Sequence, residues 1–129
     1  MSNLRRDRGG PGRVTVQEAA ARTGHGGAVD SGGDAVLLDV REPYEWQAGH
    51  APRAAHLPLS APAAGAGLPA EAQARPLVVI CRSGNRSRRA AELLVARGAR
   101  AVDVIGGMGD RAGAGLPVVD ARGGNGTVA

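Results

Sequence analysis

Short apolar runs recur along the chain and predict the strands of a sheet. The runs at 36–40 and 77–80 are almost uniformly apolar, which is typical of strands that are buried on both faces. Weaker runs at 56–59 and 102–105 predict two more strands. The segment at 60–75 is rich in Ala, Gly and Pro, and we expect it to be a loop with one helical turn at most.

Helix signals lie between these runs. The residues from Thr15 match a capping box, which predicts a short helix as far as Thr23. Pro43 suits the first position of a second helix, and Gly49 is a natural place for that helix to end. Apolar residues lie on one side of the segment at 87–97 and predict a third helix.

The alternation of strands and helices predicts a three-layer α/β/α sandwich around a central, mostly parallel sheet of about five strands. A chain of 129 residues suits a single domain. Residues 1–13 are polar and rich in glycine, and we expect a disordered arm there. Residues 120–129 predict a flexible tail, which leaves 14–119 as the folded domain.

Arginine supplies all of the positive charge. The sequence has no lysine, and its 16 arginines against 12 acidic residues give a net charge of +4. Several of these arginines lie in the predicted arm, and the only large aromatic residues are Tyr44 and Trp46. The chain therefore lacks the stacking platform of a nucleic-acid-binding protein, and we expect no nucleic-acid partner.

Cys81 is the only cysteine, which excludes an internal disulfide and argues against a secreted, disulfide-stabilised protein. No apolar stretch is long enough to cross a bilayer, and no hydrophobic segment follows the N-terminal arginines as it would in a secretion signal. From these features we expect a cytoplasmic protein with no membrane partner.

A polar loop, Cys-Arg-Ser-Gly-Asn-Arg, joins the strand predicted at 77–80 to the helix predicted at 87–97. Ligands bind outside the carboxyl ends of parallel strands, and the N-termini of helices attract anions. The small residues Ser83, Gly84 and Asn85 allow this loop to curl so that its amide groups face inward. The pattern therefore indicates an anion site.

Cys81 stands at the start of this loop. Inward-facing amides and the positive charges of Arg82 and Arg86 favour a thiolate, so we expect Cys81 to lie at the mouth of the loop, ionised at neutral pH. The alternative is that a lone cysteine after Val-Val-Ile is simply a small buried hydrophobic residue. The local sequence favours the reactive cysteine but leaves the alternative open.

Three segments together resemble the rhodanese family. The first lies within 37–59 and contains Leu-Leu-Asp-Val-Arg-Glu and Gly-His-Ala-Pro, the second is the loop from Cys81 to Ser87, and the third combines Gly-Gly-Met with Ala-Gly-Leu-Pro-Val at 106–118. The resemblance extends over residues 14–119. It implies the rhodanese-like form of the α/β/α sandwich.

The resemblance implies that Cys81 is the catalytic residue of a sulfurtransferase. Cys81 would take sulfane sulfur from a small anionic donor such as thiosulfate, hold it as a persulfide, and pass it to cyanide or a thiol. An alternative is a sulfur-relay or binding module that receives persulfide sulfur from a partner protein. The substrate-binding loop would comprise Arg82, Ser83, Gly84, Asn85, Arg86 and Ser87.

Loop length separates activities within the superfamily that the sequence resembles. The segment from Cys81 to Arg86 has six residues, as in its sulfurtransferases, whereas the related phosphatases have a longer loop. The resemblance therefore argues against a phosphatase or an arsenate reductase. Neither a dinucleotide-binding fingerprint nor a phosphate loop ending in Gly-Lys is present, and the cysteine and three histidines do not form a metal-binding pattern. We expect no cofactor and no metal.

Three residues near the predicted strand ends are candidates for roles around the loop. Asp39 and Arg41 follow the strand at 36–40, and the resemblance implies that they support the loop, with donor contact left open for Arg41. His50 follows Gly49 and is expected to cap a helix rather than to act as a base, because an ionised cysteine needs none.

The sequence departs from the rhodanese pattern at four positions. Arg111 stands where the family usually has a tryptophan, and Asp110 replaces a small residue before it. Arg53 and Ala51 replace a common glycine and a common isoleucine in the first segment. We expect altered packing near Arg111, and we expect Asp110 and Arg111 to border the mouth of the site.

Overall fold

A computed structural model describes residues 12–24, 34–60 and 67–129 of the chain. Within these residues, five strands form one sheet in the order β1-β5-β4-β2-β3, and each neighbouring pair is parallel. The strands are β1 (Arg13–Val14), β2 (Val36–Asp39), β3 (Ala55–His56), β4 (Leu77–Ile80) and β5 (Ala101–Val104).

Helices connect these strands, as right-handed crossovers between parallel strands require. They are α1 (Val16–Thr23), α2 (Pro43–Ala48), α3 (Asn85–Ala96) and α4 (Gly107–Gly113), with a short 3-10 helix at Ala70–Ala72. Two of them begin as their sequence predicts. Thr15 and Glu18 form the capping box of α1, and Pro43 occupies the first turn of α2.

The sheet is covered on both faces, which confirms the predicted sandwich. Alternate side chains of the strands face opposite sides, so Leu38 and Val79 belong to one core and Leu37 and Val78 to the other. The first core includes residues of α3, and the second includes residues of α1 and α4. Almost every residue of β2 and β4 is consequently buried, as their uniform hydrophobicity predicted.

Strand β1 was not predicted, because two residues carry no detectable periodicity. Pairing with β5 defines this strand: Asp103 N–H donates to Gly12 O and Ile105 N–H donates to Val14 O. Arg13 therefore belongs to the sheet and not to the arm that the sequence predicts for 1–13. Residues 1–11 of that arm lie outside the described residues.

Helix α4 was also missed by the hydrophobic pattern, because three of its seven residues are glycine and glycine disfavours helices. Tertiary contacts stabilise it instead, through the fully buried side chain of Met108. The other differences are shifts of boundaries. Helix α3 starts at Asn85 rather than at residue 87, β5 ends at Val104, and β3 covers Ala55–His56 instead of 56–59.

Residues 120–129, expected to be a flexible tail, pack against the domain. Ala121 N–H donates to Gln47 O at 3.2 Å, and Thr127 N–H donates to Ala48 O at 2.9 Å. These bonds satisfy carbonyl groups at the C-terminus of α2 that have no partner inside the helix. The segment is thereby held alongside α2.

None of the helices in the described ranges combines the length and the apolar character needed to cross a membrane.

Candidate active site

The site lies where parallel strands end. Cys81 directly follows β4, beside the end of β2 and next to the turn between β5 and α4. The alternation of Leu77 and Val79 continues to Cys81, which therefore points to the face that α3 covers. The loop follows β4 at the carboxyl end of a parallel sheet, the edge at which ligands bind in such folds.

The loop after Cys81 turns back over the sulfur atom. Gly84 N–H donates to Cys81 Sγ at 3.1 Å, and Ser87 Oγ lies 3.4 Å from Sγ. Gly84 has a φ of 105° and stands just before the first residue of α3. A side chain there would be strained, and its Cβ would lie 3.1 Å from Arg13 Nη2, so glycine allows both the turn and the close approach.

The depth of Cys81 differs from the expectation that it lies at the mouth of the loop. Only 1% of the residue is exposed, and it belongs to the core beneath α3. Arg82, Ser83 and Asn85 of the same loop are exposed. The buried thiol therefore belongs to a loop that is partly open to solvent.

Helix α4 holds the loop from outside. Met108 N–H donates to Cys81 O at 2.7 Å, and Gly109 N–H donates to Arg82 O at 3.0 Å. Gly107 lies against these carbonyl groups so closely that a Cβ there would overlap with Cys81 O. These bonds turn the first two loop carbonyls towards α4 and away from the sulfur, as an anion site requires.

Arg86 is paired with a carboxylate at the edge of the site. Its guanidinium donates to both carboxylate oxygens of Glu45, at 2.6 and 2.8 Å. These hydrogen bonds lower the pKa of Glu45 and raise the pKa of Arg86, and the charge of an ionised Cys81 adds to the rise at Arg86. The pairing fixes the position of the Arg86 guanidinium, and the Glu45 carboxylate compensates much of its positive charge.

Arg82 has a different environment. It is exposed, and its Nε donates to Ala129 O at 2.7 Å. The C-terminal segment therefore touches the loop, which the sequence did not suggest.

Asp39 and Arg41 form a fully buried ion pair, with Arg41 Nη2 2.8 Å from Asp39 Oδ2. Arg41 also donates through its backbone N–H to Asp39 and through Nη2 to Gly49 O at 2.6 Å. Its Nη1 has no hydrogen-bond partner among the described residues. Since neither side chain is exposed, these contacts favour support of the strand end over contact with a ligand.

The expected role of His50 is confirmed. Its Nδ1 lies 2.7 Å from Trp46 O, and because a carbonyl only accepts, Nδ1 carries the proton and caps the end of α2. The imidazole also stacks on Trp46, with ring centroids 3.7 Å apart.

Comparison with known proteins identifies the family. The family model of the rhodanese-like domain matches residues 15–111, which is most of the chain. The chain belongs to the rhodanese-like domain family.

Relatives of this rhodanese-like domain include larger proteins. It is 40% identical over 85 residues to the adenylyltransferase and sulfurtransferase MOCS3-2 of Zea mays, a match covering 61% of this chain and 18% of that protein. A rhodanese-related protein of Thermoplasma volcanium superposes with a TM-score of 0.58 at 34% identity, over 67% of this chain and 84% of that one. A thiosulfate sulfurtransferase of Pseudomonas aeruginosa gives a TM-score of 0.67 at 21% identity, over 95% of this chain and 23% of that one, a likeness of fold alone.

Two acidic residues and one arginine of this rhodanese-like domain were missed as site residues. Glu45 was not singled out, Arg13 was assigned to the arm, and Asp103 lay unnoticed in a predicted strand. Asp103 is 1% exposed, and its carboxylate accepts hydrogen bonds from both Arg13 and Ser87. An acidic residue inside the apolar run Ala-Val-Asp-Val was the signal available in the sequence.

Arg111 does not border the mouth of the site as expected. It is 2% exposed, its Nε donates to Pro117 O at 3.0 Å, and its Nη2 has no partner among the described residues. Burial lowers the pKa of Arg111 to about 10. The long side chain therefore fills interior space, whereas Asp110 is exposed.

Proposed function

We propose that this rhodanese-like domain is a sulfurtransferase in which Cys81 carries sulfane sulfur as a persulfide. The observation that supports it most is the environment of Cys81 Sγ, which has Gly84 N–H at 3.1 Å and Ser87 Oγ at 3.4 Å. Both groups can donate to an anionic sulfur. Arg13 and Arg86 add positive charge that an ionised Cys81 would feel.

In the first half-reaction the Cys81 thiolate attacks the outer sulfur of the donor. With thiosulfate, a new S–S bond forms at Cys81, the S–S bond of the donor breaks, and sulfite leaves with the electron pair. The product is a persulfide whose terminal sulfur is anionic. The loop amides and Arg86 stabilise negative charge on the sulfur atoms during this step, as preorganised donors do in other transfer reactions.

In the second half-reaction a nucleophilic acceptor, cyanide or a thiolate, attacks the terminal sulfur. The S–S bond to Cys81 breaks, and the Cys81 thiolate leaves with its electron pair. Each half-reaction balances without an added oxidant or reductant. No cofactor enters either step.

The remaining loop residues bind and admit the substrate in this proposal. Arg82, Ser83 and Asn85 are exposed residues of the loop, and in this proposal they form the entrance through which the donor passes. Arg82 recognises the anionic part of the donor. Asp39 and Arg41 support the neighbouring strand end, because they are paired with each other and Arg41 also donates to Gly49 O.

Two further considerations support a small anionic donor. A thiol that is 1% exposed admits a compact reactant more readily than a bulky one. The relative from Pseudomonas aeruginosa is named as a thiosulfate sulfurtransferase, and that from Zea mays as an adenylyltransferase and sulfurtransferase. The first name suggests thiosulfate as the donor to test.

Intact mass after incubation with thiosulfate tests the proposal. We expect the mass to rise by one sulfur atom, and we expect cyanide to remove that sulfur with formation of thiocyanate. Cys81→Ser, which changes one atom of the side chain, should gain no mass. A wild-type protein that stays unmodified by both thiosulfate and a small organic persulfide would overturn the proposal.

The same experiment separates direct catalysis from sulfur relay. If thiosulfate loads Cys81 slowly but a cysteine desulfurase charged with cysteine loads it within minutes, the domain is a relay module that takes sulfur from a protein. Fast loading by thiosulfate and fast release to cyanide indicate an enzyme for small molecules.

A further inference from the structure

A series of hydrogen bonds connects β1, at the edge of the sheet, to Cys81 Sγ. Arg13 in β1 donates through Nε to Asp103 Oδ1 at 2.9 Å and through Nη2 to Asp103 Oδ2 at 3.0 Å. The same Nη2 donates to Gly84 O at 2.9 Å. Arg13 thus links the loop to β5, although it lies 71 residues from Gly84 and 90 from Asp103 in sequence.

Asp103 extends this series of hydrogen bonds towards Cys81. Ser87 Oγ donates to Asp103 Oδ2 at 3.0 Å, and Ser87 Oγ lies 3.4 Å from Cys81 Sγ. Asp103 and Ser87 are almost completely buried, at 1% and 0% exposure. We call the set of Arg13, Asp103 and Ser87 the hydrogen-bonded triad.

Ser87 has one hydroxyl proton and two neighbours that compete for it. While Cys81 carries its proton, the S–H group donates to Ser87 Oγ and the Ser87 hydroxyl donates to Asp103. When Cys81 loses its proton to solvent, the thiolate accepts and no longer donates, so the Ser87 hydroxyl must rotate towards the sulfur. Asp103 then loses that hydrogen bond while still buried and charged, which is costly without a partner.

We propose that Arg13 is a positioning residue that permits this rotation. Its two hydrogen bonds keep Asp103 satisfied after Ser87 turns to the Cys81 thiolate, and its bond to Gly84 O holds in place the residue whose N–H donates to Sγ. The raised pKa of Arg13, due mainly to Asp103 and partly to the charge of Cys81, agrees with this arrangement. The inference rests on the proposed function only in taking Cys81 to be the nucleophile.

The opposing explanation is that Arg13 merely fastens β1 to the sheet. Arg13 and Asp103 are indeed paired in the register of β1 and β5. A fastening role predicts that removing Arg13 lowers stability without changing the ionisation of Cys81. A positioning role predicts a change in ionisation that depends on the charge of Asp103.

The pH dependence of Cys81 alkylation by iodoacetamide distinguishes the two roles, because only the thiolate reacts and the chain has one cysteine. We expect Arg13→Met to raise the ionisation midpoint by about one pH unit, which lowers the alkylation rate about tenfold at a pH below both midpoints. Without Arg13, the buried Asp103 carboxylate has no counter-ion. Removing that carboxylate as well should reverse the rise of the midpoint, so Arg13→Met/Asp103→Asn should react within about twofold of the wild type.

Asp103→Asn alone keeps Arg13 and provides a second measurement if Arg13→Met does not fold. It removes the carboxylate that competes for the Ser87 proton, so we expect the midpoint to fall and the alkylation rate to rise at pH values below the wild-type midpoint. Arg100→Met is the matched control, since Arg100 is exposed and precedes β5 at the opposite end from Cys81. Its alkylation profile should equal that of the wild type.

An unchanged midpoint in Asp103→Asn, or in a folded Arg13→Met, would overturn the inference. These outcomes are separate from those of the proposed function, because alkylation does not require sulfur transfer. If the wild type loads sulfur while both variants keep the original midpoint, only the proposed role of Arg13 is refuted. If the wild type never loads sulfur while the midpoints shift, only the proposed sulfurtransferase activity is refuted.

Discussion

Gly107 offers a direct test of how α4 holds the loop around Cys81. Replacement by alanine would place a Cβ in overlap with Cys81 O and 2.7 Å from Arg82 O, both of which are backbone atoms that no side-chain rotation can move. Gly107 also has a φ of 57°, in the left-handed region that alanine adopts at a cost. Either α4 or the loop must therefore move.

The expected loss of stability follows from these contacts. Left-handed backbone costs an alanine about 1–2 kcal/mol. Separation of α4 from the loop also breaks the hydrogen bonds from Met108 N–H to Cys81 O and from Gly109 N–H to Arg82 O, each worth about 1 kcal/mol. We expect Gly107→Ala to lower the free energy of unfolding by about 3–4 kcal/mol and Tm by about 10–15 °C for a domain of this size.

Gly98→Ala is the matched control. Gly98 also has a positive φ, of 95°, but a Cβ there would meet no atom within 4 Å. This variant should lose only the backbone term, about 1–2 kcal/mol. The difference between the two variants isolates the contact of α4 with the loop.

Thermal unfolding followed by circular dichroism measures both variants, and sulfur loading is measured at a temperature at which both are folded. We expect loading of Gly107→Ala to fall at least about tenfold, because small displacements of a reactive group have large effects on rate. Gly98→Ala should load like the wild type. Equal stabilities of the two variants would refute the reasoning that α4 positions the loop.

Further predictions concern the charged residues around the site. Arg86 lowers the pKa of Glu45, so the folded state binds fewer protons than the unfolded state near that pKa. The pair therefore stabilises the folded state at pH values above the pKa of Glu45 in the unfolded chain, about 4.3, and this stabilisation is lost as the pH falls below it. In urea titrations, the free energy of unfolding of Glu45→Gln should therefore decrease less than that of the wild type between pH 5 and 3, by up to about 1 kcal/mol after solvent screening. An equal decrease in both proteins would contradict this. Asp39→Asn leaves the buried charge of Arg41 without its counter-ion and should cost about 3–5 kcal/mol in the same titrations; a cost below about 1 kcal/mol would show that the pair is dispensable. Arg111→Met removes a buried cation with an unpartnered nitrogen, so we expect unchanged or higher Tm, and a clear drop would refute this account.

Local features of the sequence predicted four of the five strands in the described sheet, three of the helices and the position of the loop after Cys81. Uniform hydrophobicity marked β2 and β4, the capping box marked α1, and the change from apolar to polar residues at Cys81 placed the loop at a strand end. Each of these signals depends on residues within a few positions of one another. Short-range patterns in sequence therefore sufficed to predict them.

The tertiary structure decided the depth of Cys81 and the partners of the loop. Arg13 and Asp103 meet only because β1 pairs with β5, and helix α4 forms through contacts with the loop despite its three glycines. Arg111 lies inside the domain, where the charge of its side chain alone predicts exposure. Such arrangements depend on which strands become neighbours, and the local pattern of residues does not encode that choice because the pairing energy comes from segments far apart in the chain.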